Sequence, residues 1–308
     1  MTEPIVLPNG KAVSADGSAP GQAANGTNGT ANANGTHHKQ EASSGFEMGK
    51  GDLAKLTAPP KFDNVEAERA YLKERLCAAL RIFAKQGFDH HVAGHLTVRD
   101  PEDPHTFWVN PFGLSFSLMT VSDLIRVNQK GQVIEGGKPG RQIVNLAGFL
   151  IHSALHQARP DVNAICHSHS TYGKAFATLG IDLPILTQDA ATFYHDIVTL
   201  REFGGVVITK SEGQLIAETL QQRNSIILQN HGLLTVGTTI DAAVARFILL
   251  ENECRVALLA QAAGKPIEIE DDAAALTHKE TGSERSCFFL ASPYFQVIEH
   301  EQGHEYRQ

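Results

Sequence analysis

The run Ala158-Arg-Pro-Asp-Val-Asn-Ala-Ile-Cys-His-Ser-His-Ser170 decides how this chain is read. Ahead of it, Leu146, Phe149, Leu150 and Ala154 recur at helical spacing and predict a helix over residues 145–157. Pro160-Asp161 breaks that helix, and the apolar residues that follow predict a strand over 164–169. Side chains alternate along a strand, so His167 and His169 project from one face. Two neutral imidazoles on one face can ligate one divalent ion, and the same spacing equally suits a pair of polar face residues. His231 closes the apolar run Ser225-Ile-Ile-Leu-Gln-Asn-His231 just before Gly232, where a strand ends in a turn. Three histidines with an open fourth position form the ligand set of a catalytic metal site. Yet 62 positions separate His169 from His231, and spacing alone does not bring them together.

Outward from this run the chain alternates short elements. Asp63 with Glu66 three residues later resembles a helix start, Leu72, Leu76, Leu80 and Phe83 continue it, and Gly87 ends it. Strands are expected over 95–99, 106–109, 132–135, 206–208 and 226–228, with a turn at 111–113 and a short element opening at Thr120. A long helix is expected over 240–263, with Ala243, Phe247, Leu250, Cys254 and Leu258 inward. His152 and His156 sit four apart on the 145–157 helix, and His152 reads as a buried hydrogen-bonder between helix and sheet. Arg159 and Asp161 should fix the turn into the strand. Gly136 to Gly140 lacks the Gly-Lys-Ser/Thr ending of a phosphate loop and reads as a turn. Residues 56–270 are thus expected to form one α/β domain. Residues 271–308 follow as a peripheral extension that packs on the domain or a neighbouring subunit through Phe288 and Phe295. Residues 1–55 are poor in large apolar side chains, too few to offset the entropy of ordering, and read as a disordered tail that includes His37 and His38.

Composition narrows the function. With 26 Lys and Arg against 34 Asp and Glu in 308 residues, the net charge is −8, which argues against a nucleic-acid backbone binder. No run approaches the roughly 20 apolar residues of a membrane span. A basic start followed by an apolar stretch is missing, so a cytoplasmic location is expected. Cys77, Cys166, Cys254 and Cys287 fall at apolar positions, as buried thiols in a reducing compartment would. The Asn-Gly-Thr sequons at Asn25, Asn28 and Asn34 are then silent.

Several ordered motifs carry a family resemblance: Gly94-His-Leu-Thr-Val-Arg99, Val109-Asn-Pro-Phe-Gly113, Ala147-Gly-Phe with His152, the 158–170 run, and Gln229-Asn-His-Gly-Leu-Leu-Thr-Val-Gly237. Over residues 65 to 265 the chain resembles the class II aldolase/adducin family. The resemblance implies a three-layer α/β/α fold around a mainly antiparallel sheet and a four-fold symmetric homotetramer with sites at subunit interfaces. It places the family's metal ligands on His167, His169 and His231. The implied cofactor is a divalent metal, Zn²⁺ first, with Fe²⁺, Mn²⁺ or Ni²⁺ as the other ions. Class II aldolases make or break a carbon–carbon bond beside a carbonyl, where the cation stabilises an enolate as a Lewis acid.

The chain departs from the sugar-phosphate aldolases at named positions. Gly148 stands where they carry a Glu beside the metal. His95, Phe112 and Leu146-Ala147 stand where their phosphate pocket has an Asn, a Thr and a Ser pair. Small donors are lost and bulk is gained, so weak or no turnover of sugar phosphates is expected. His95, which faces the substrate in the aldolases, is one candidate for the proton shuttle. Asp189 and Tyr194 are the others, in the segment that the family brings into the neighbouring subunit's site. Asp189 could equally cap a helix, and Tyr194 could simply pack. The reading is a metal-dependent lyase (aldolase, retro-aldolase or decarboxylase) acting on a small hydroxy- or oxo-carbonyl compound without phosphate, and binding neither nucleic acid nor membrane. Its rivals are a non-haem iron oxygenase on the same three histidines and an adducin-like interaction module.

Overall fold

In the computed structural model, which describes residues 58–207, 209–303 and 305–308, helix α1 (Val65–Lys85) opens the fold. Asn64, one residue beyond the expected Asp63, caps it, accepting the Ala67 N–H at 2.8 Å. It ends at Gly87, whose φ of +75° suits glycine. There the Phe88 and Gly87 N–H groups return to the Phe83 and Ala84 carbonyls, and Phe88 packs edge-on against Phe83. The tail expected over residues 1–55, with His37, His38 and the three sequons, lies outside the described residues.

The strands are β1 (His95–Arg99), β2 (Phe107–Val109), β3 (Ile125–Val127), β4 (Val133–Gly136), β5 (Ala164–Ser168), β6 (Ile197–Leu200), β7 (Ser225–Leu228) and β8 (Gly232–Gly237). They form one sheet in the order β4-β3-β2-β1-β5-β8-β7-β6. Among the described residues every pairing is antiparallel except β6 with β7. Strand alternation divides the core in two. Leu96, Val98, Cys166, Ile227 and Leu233 bury on one face with residues of α1, α5 (Ile240–Ala263) and α7 (Glu284–Gln302). Ile165, Ile226, Leu228, Leu234 and Val236 bury on the other with α2 (Leu146–Ala158) and α4 (Lys210–Leu220). The result is a three-layer α/β/α fold around a mainly antiparallel sheet, as expected. β5 runs centrally between β1 and β8, and all five of its residues are buried.

One expectation needs correction. The strand expected at 206–208 is absent at the described positions: Val206 is 72% exposed, Val207 is buried in a loop, and Ile208 is outside the described residues. The sheet edge is formed instead by β6, an Ile-Val-Thr-Leu run of strand composition that the sequence expectations did not include. The segment after Ile269 packs on the domain through Phe288 and Phe295, and through further residues beside them. It forms α6 (Asp271–Thr281) and α7, and α7 buries Cys287, Ala291, Phe295 and Ile298 in the core it shares with α1 and α5. The Arg75 guanidinium lies over the Phe295 ring, 3.5 Å from its centroid. All four cysteines are free and buried. Arg159 and Asp161 pair through two hydrogen bonds across Pro160, at 2.8 and 2.6 Å. No helix of the described residues is long and apolar enough to cross a membrane.

Candidate metal centre

The central strand sets the site. In the β1–β5 ladder His95 stands opposite His167, and in the β5–β8 ladder Leu234 stands opposite it on the other side. His167 projects toward α2, the same side as His95 and Thr97, because all three share one phase of the pleat. His169 is the first residue beyond β5. The chain turns there into α3 (Thr171–Ala177), and the buried Glu251 carboxylate on α5 holds the turn. It accepts the Ser170 hydroxyl, the Tyr172 N–H at 2.8 Å and the Gly173 N–H at 2.6 Å. His231 comes from the turn joining β7 to β8. Asn230 adopts a φ of +57°, which Asn tolerates, and the His231 N–H donates to the Leu228 carbonyl at 3.0 Å.

These elements bring the three imidazoles together. Ring centroids are 5.2 Å apart for His167 and His169, and 4.8 Å for His231 with each of the others. Their available nitrogens all lie within 4.8 Å of one another. Nitrogens on a tetrahedral ion with bonds of about 2.0–2.1 Å sit roughly 3.4 Å apart, so small ring rotations bring all three onto one ion. The His167 Nδ1–H donates to the Leu233 carbonyl at 2.9 Å, which leaves Nε2 as the lone-pair nitrogen. That Nε2 is buried and has no hydrogen-bond partner. Leaving such a group unsatisfied costs about 1–3 kcal/mol, and a cation would satisfy it. Burial, reinforced by the neighbouring histidines, pushes His167 well below its ordinary value, and burial then His169 push His231 down to about 4. His169 is lowered by burial and by Lys174. Neutral imidazoles are what metal ligation requires. The residues therefore fit a divalent cation.

His95 stands against this cluster, its ring centroid 4.7 Å from that of His167 and 4.5 Å from that of His152. A Cβ added at Gly148 would meet the His95 ring at 2.6 Å. The two positions are sterically coupled: the His95 ring fills the space that a side chain at position 148 needs. Gly148→Ala is expected to destabilise the protein by about 1–3 kcal/mol through overpacking. In a His95→Ala background the same change should instead stabilise by up to about 1 kcal/mol, since Ala is the better helix former. Denaturant unfolding of the single and double variants checks the sign reversal.

Behind His95 lies a buried polar chain. His95 Nδ1 lies 2.8 Å from His152 Nε2, and His152 Nδ1 lies 2.8 Å from Thr97 Oγ1. Thr97 Oγ1 reaches His156 Nε2 at 3.1 Å, and His156 Nδ1 reaches the Val162 carbonyl at 3.2 Å. His152 is therefore the buried link between helix and sheet expected of it.

The imidazoles line a cavity of about 590 Å³. Its other walls include Val92, Phe112, Ile151, Phe203, Val206 and Val207, with Lys174, Asn145 and Asn230 as polar members. Phe112 and Ala147, at positions of the expected phosphate pocket, line it too, whereas Leu146 is 60% exposed. Asp189 and Tyr194 do not line this cavity within one chain. Asp189 is exposed, and Tyr194 is half-buried with its hydroxyl bonded to Asp271. Sequence reasoning missed Lys174 and Thr97. Lys174 lies on a short helix with no motif around it, and Thr97 lies inside the quoted Gly94–Arg99 motif, where nothing local marks its hydroxyl for a role.

Comparison with known proteins agrees with this architecture. Residues 74–258 match the family described as Class II Aldolase and Adducin N-terminal domain, and the chain belongs to that family. It is 48% identical over 227 residues to "Decarboxylase NovR" of Streptomyces niveus, covering 73% of this chain and 83% of that protein. It is 45% identical over 227 residues to "4-hydroxy-3-prenylphenylpyruvate oxygenase/4-hydroxy-3-prenylbenzoate synthase" of Streptomyces roseochromogenus subsp. oscitans, covering 73% and 80%. Among solved structures, one named "L-fuculose 1-phosphate aldolase from Glaciozyma antarctica PI12" superposes with a TM-score of 0.79 at 66% identity, covering 83% of this chain and 99% of that one.

Proposed function

We propose that this chain is a metal-dependent carbon–carbon lyase acting on an oxo- or hydroxy-carbonyl compound that carries an apolar or aryl group and no phosphate. The observation that supports it best is the orphaned, buried Nε2 of His167, converging with His169 and His231 on a cavity with largely apolar walls. A divalent ion held by these three residues, Zn²⁺ first, would supply Lewis-acid chemistry toward a carbonyl oxygen. His95 takes or returns the proton at the carbon whose bond is broken or made. Lys174 offers a cation to a substrate carboxylate, and Phe112, Phe203 and Val206 receive the apolar part. In a homotetramer with sites at subunit interfaces, Asp189 and Tyr194 would reach the site of a neighbouring copy.

One further reading has support. Three neutral nitrogens suit Fe²⁺, and one relative is named an oxygenase, so dioxygen chemistry on the same cluster is the alternative. Elemental analysis of protein prepared without chelators, oxygen-electrode recordings and product analysis separate the two. Bound Zn²⁺ with retro-aldol cleavage of a 4-aryl-4-hydroxy-2-oxo acid, whose departing 2-oxo acid enolate the ion would stabilise and which then takes up a proton, and no oxygen uptake, is expected. Stoichiometric oxygen consumption would favour the iron reading. The Glaciozyma protein is named for fuculose 1-phosphate, and efficient cleavage of that compound by this chain would overturn the phosphate-free substrate class.

A further inference from the structure

We propose that the buried series His156, Thr97 and His152 presets His95 in its Nδ1–H tautomer, so that a bare Nε2 lone pair is presented on the cavity side. One end of the series has no choice of direction. The Val162 carbonyl can only accept, so His156 Nδ1 carries the hydrogen of that 3.2 Å contact. His156 is 5% exposed and lies near the Arg99 guanidinium; burial and that charge hold it uncharged, down to about 3. A neutral ring protonated at Nδ1 accepts at Nε2, so the Thr97 hydroxyl donates there. Thr97 has one hydrogen to give, and its oxygen must therefore accept from His152 Nδ1–H. His152 is fully buried with no carboxylate bonded to it, so it too is neutral and its Nε2 accepts. The only donor for that bond is His95 Nδ1–H.

Each link has one donor and one acceptor, and the backbone carbonyl fixes the sense of the whole series. The opposite direction would require the His156–Val162 bond to break. The other tautomer of His95 would point an N–H at the cavity and leave two lone pairs facing each other at 2.8 Å. Thr97, His152 and His156 are positioning residues that act through His95. The direction follows from the hydrogen bonds between buried neutral rings, while its use in catalysis rests on the base role proposed above for His95.

Neutron diffraction from deuterium-exchanged crystals of the full chain tests the direction. Deuterons are expected on Nδ1 of His95, His152 and His156, with the Thr97 deuteron aimed at His156. A deuteron on Nε2 of His95 or of His152 would overturn the proposal. A second measurement uses ¹⁵N-histidine spectra of Thr97→Val and Thr97→Ser. In the Val variant the His95 nitrogens should move from one tautomer to a mixture, and kcat should fall roughly 10- to 100-fold with KM little changed. Ser should restore both, and an unmoved His95 nitrogen pattern in a folded Val variant counts against the relay. Full turnover by a His95→Gln variant would overturn the base role, while the neutron map decides the tautomer independently.

Discussion

His169→Ala should leave a folded protein that binds no metal and turns over no substrate. His169 lies just past the end of β5 and is partly exposed, so truncating it removes little packing. The Glu251 contacts that shape the following turn go to Ser170, Tyr172 and Gly173 rather than to the imidazole. Losing a hydrogen-bond partner behind a ligand typically costs 10–100-fold in metal affinity, so losing the ligand itself should cost on the order of 10³-fold or more. Elemental analysis should fall from about one equivalent per chain in the parent to near none, and the rise in Tm on adding Zn²⁺ should vanish. Stoichiometric metal retained by the variant would sink the ligand assignment. His167→Ala is a poorer test, because it also opens a hole beside β8 and removes the imidazole's hydrogen bond to the Leu233 carbonyl.

Below pH 6.5 the protein should lose stability steeply. His95, His152, His156, His167 and His231 are all held below the ordinary value of 6.5, primarily by burial, His231 at about 4 and His156 at about 3. Well above 6.5 these groups are neutral in both states and contribute nothing to the pH dependence. As the pH falls, the unfolded chain takes up protons that the folded chain refuses, so the equilibrium moves toward unfolding until the folded pKa values are reached. Each histidine contributes up to about 1.4 kcal/mol per pH unit, and five together on the order of 7. Against a total stability of about 5–15 kcal/mol, even half that slope unfolds the protein within a few pH units below 6.5. The buried carboxylate of Asp100 is held low by Arg69, Trp108 and backbone N–H groups, so it enters only at more acidic pH. Urea midpoints measured from pH 8 to pH 4.5 should be flat above 7 and collapse below 6. A flat profile down to pH 5 would contradict a buried neutral cluster.

Much of the fold was legible because its signals are local. The helices over Leu146–Ala158 and Ile240–Ala263 announced themselves by periodicity, and Gly87 by its place after the last apolar residues of α1. The edge strand β6 has the strand-like composition Ile-Val-Thr-Leu, but four residues are too short to set a period and it was overlooked, while Val206 and Val207 look like a strand but lie in a loop. The histidine pair at 167 and 169 was legible as a shared face. The family resemblance, rather than spacing, placed His231 beside it.

Sequence alone determined where three of the seven helices and five of the eight strands among the described residues lie and which ligand chemistry was on hand, because pleat and helical period act over a few residues. Tertiary structure alone decided which groups meet. Laying β5 between β1 and β8 sets His95 opposite His167 and carries His231 to them across 62 positions. The same docking of α2 on the sheet runs a hydrogen-bonded series through Thr97. Register and packing between remote segments are set by the whole core at once, and no local pattern encodes them.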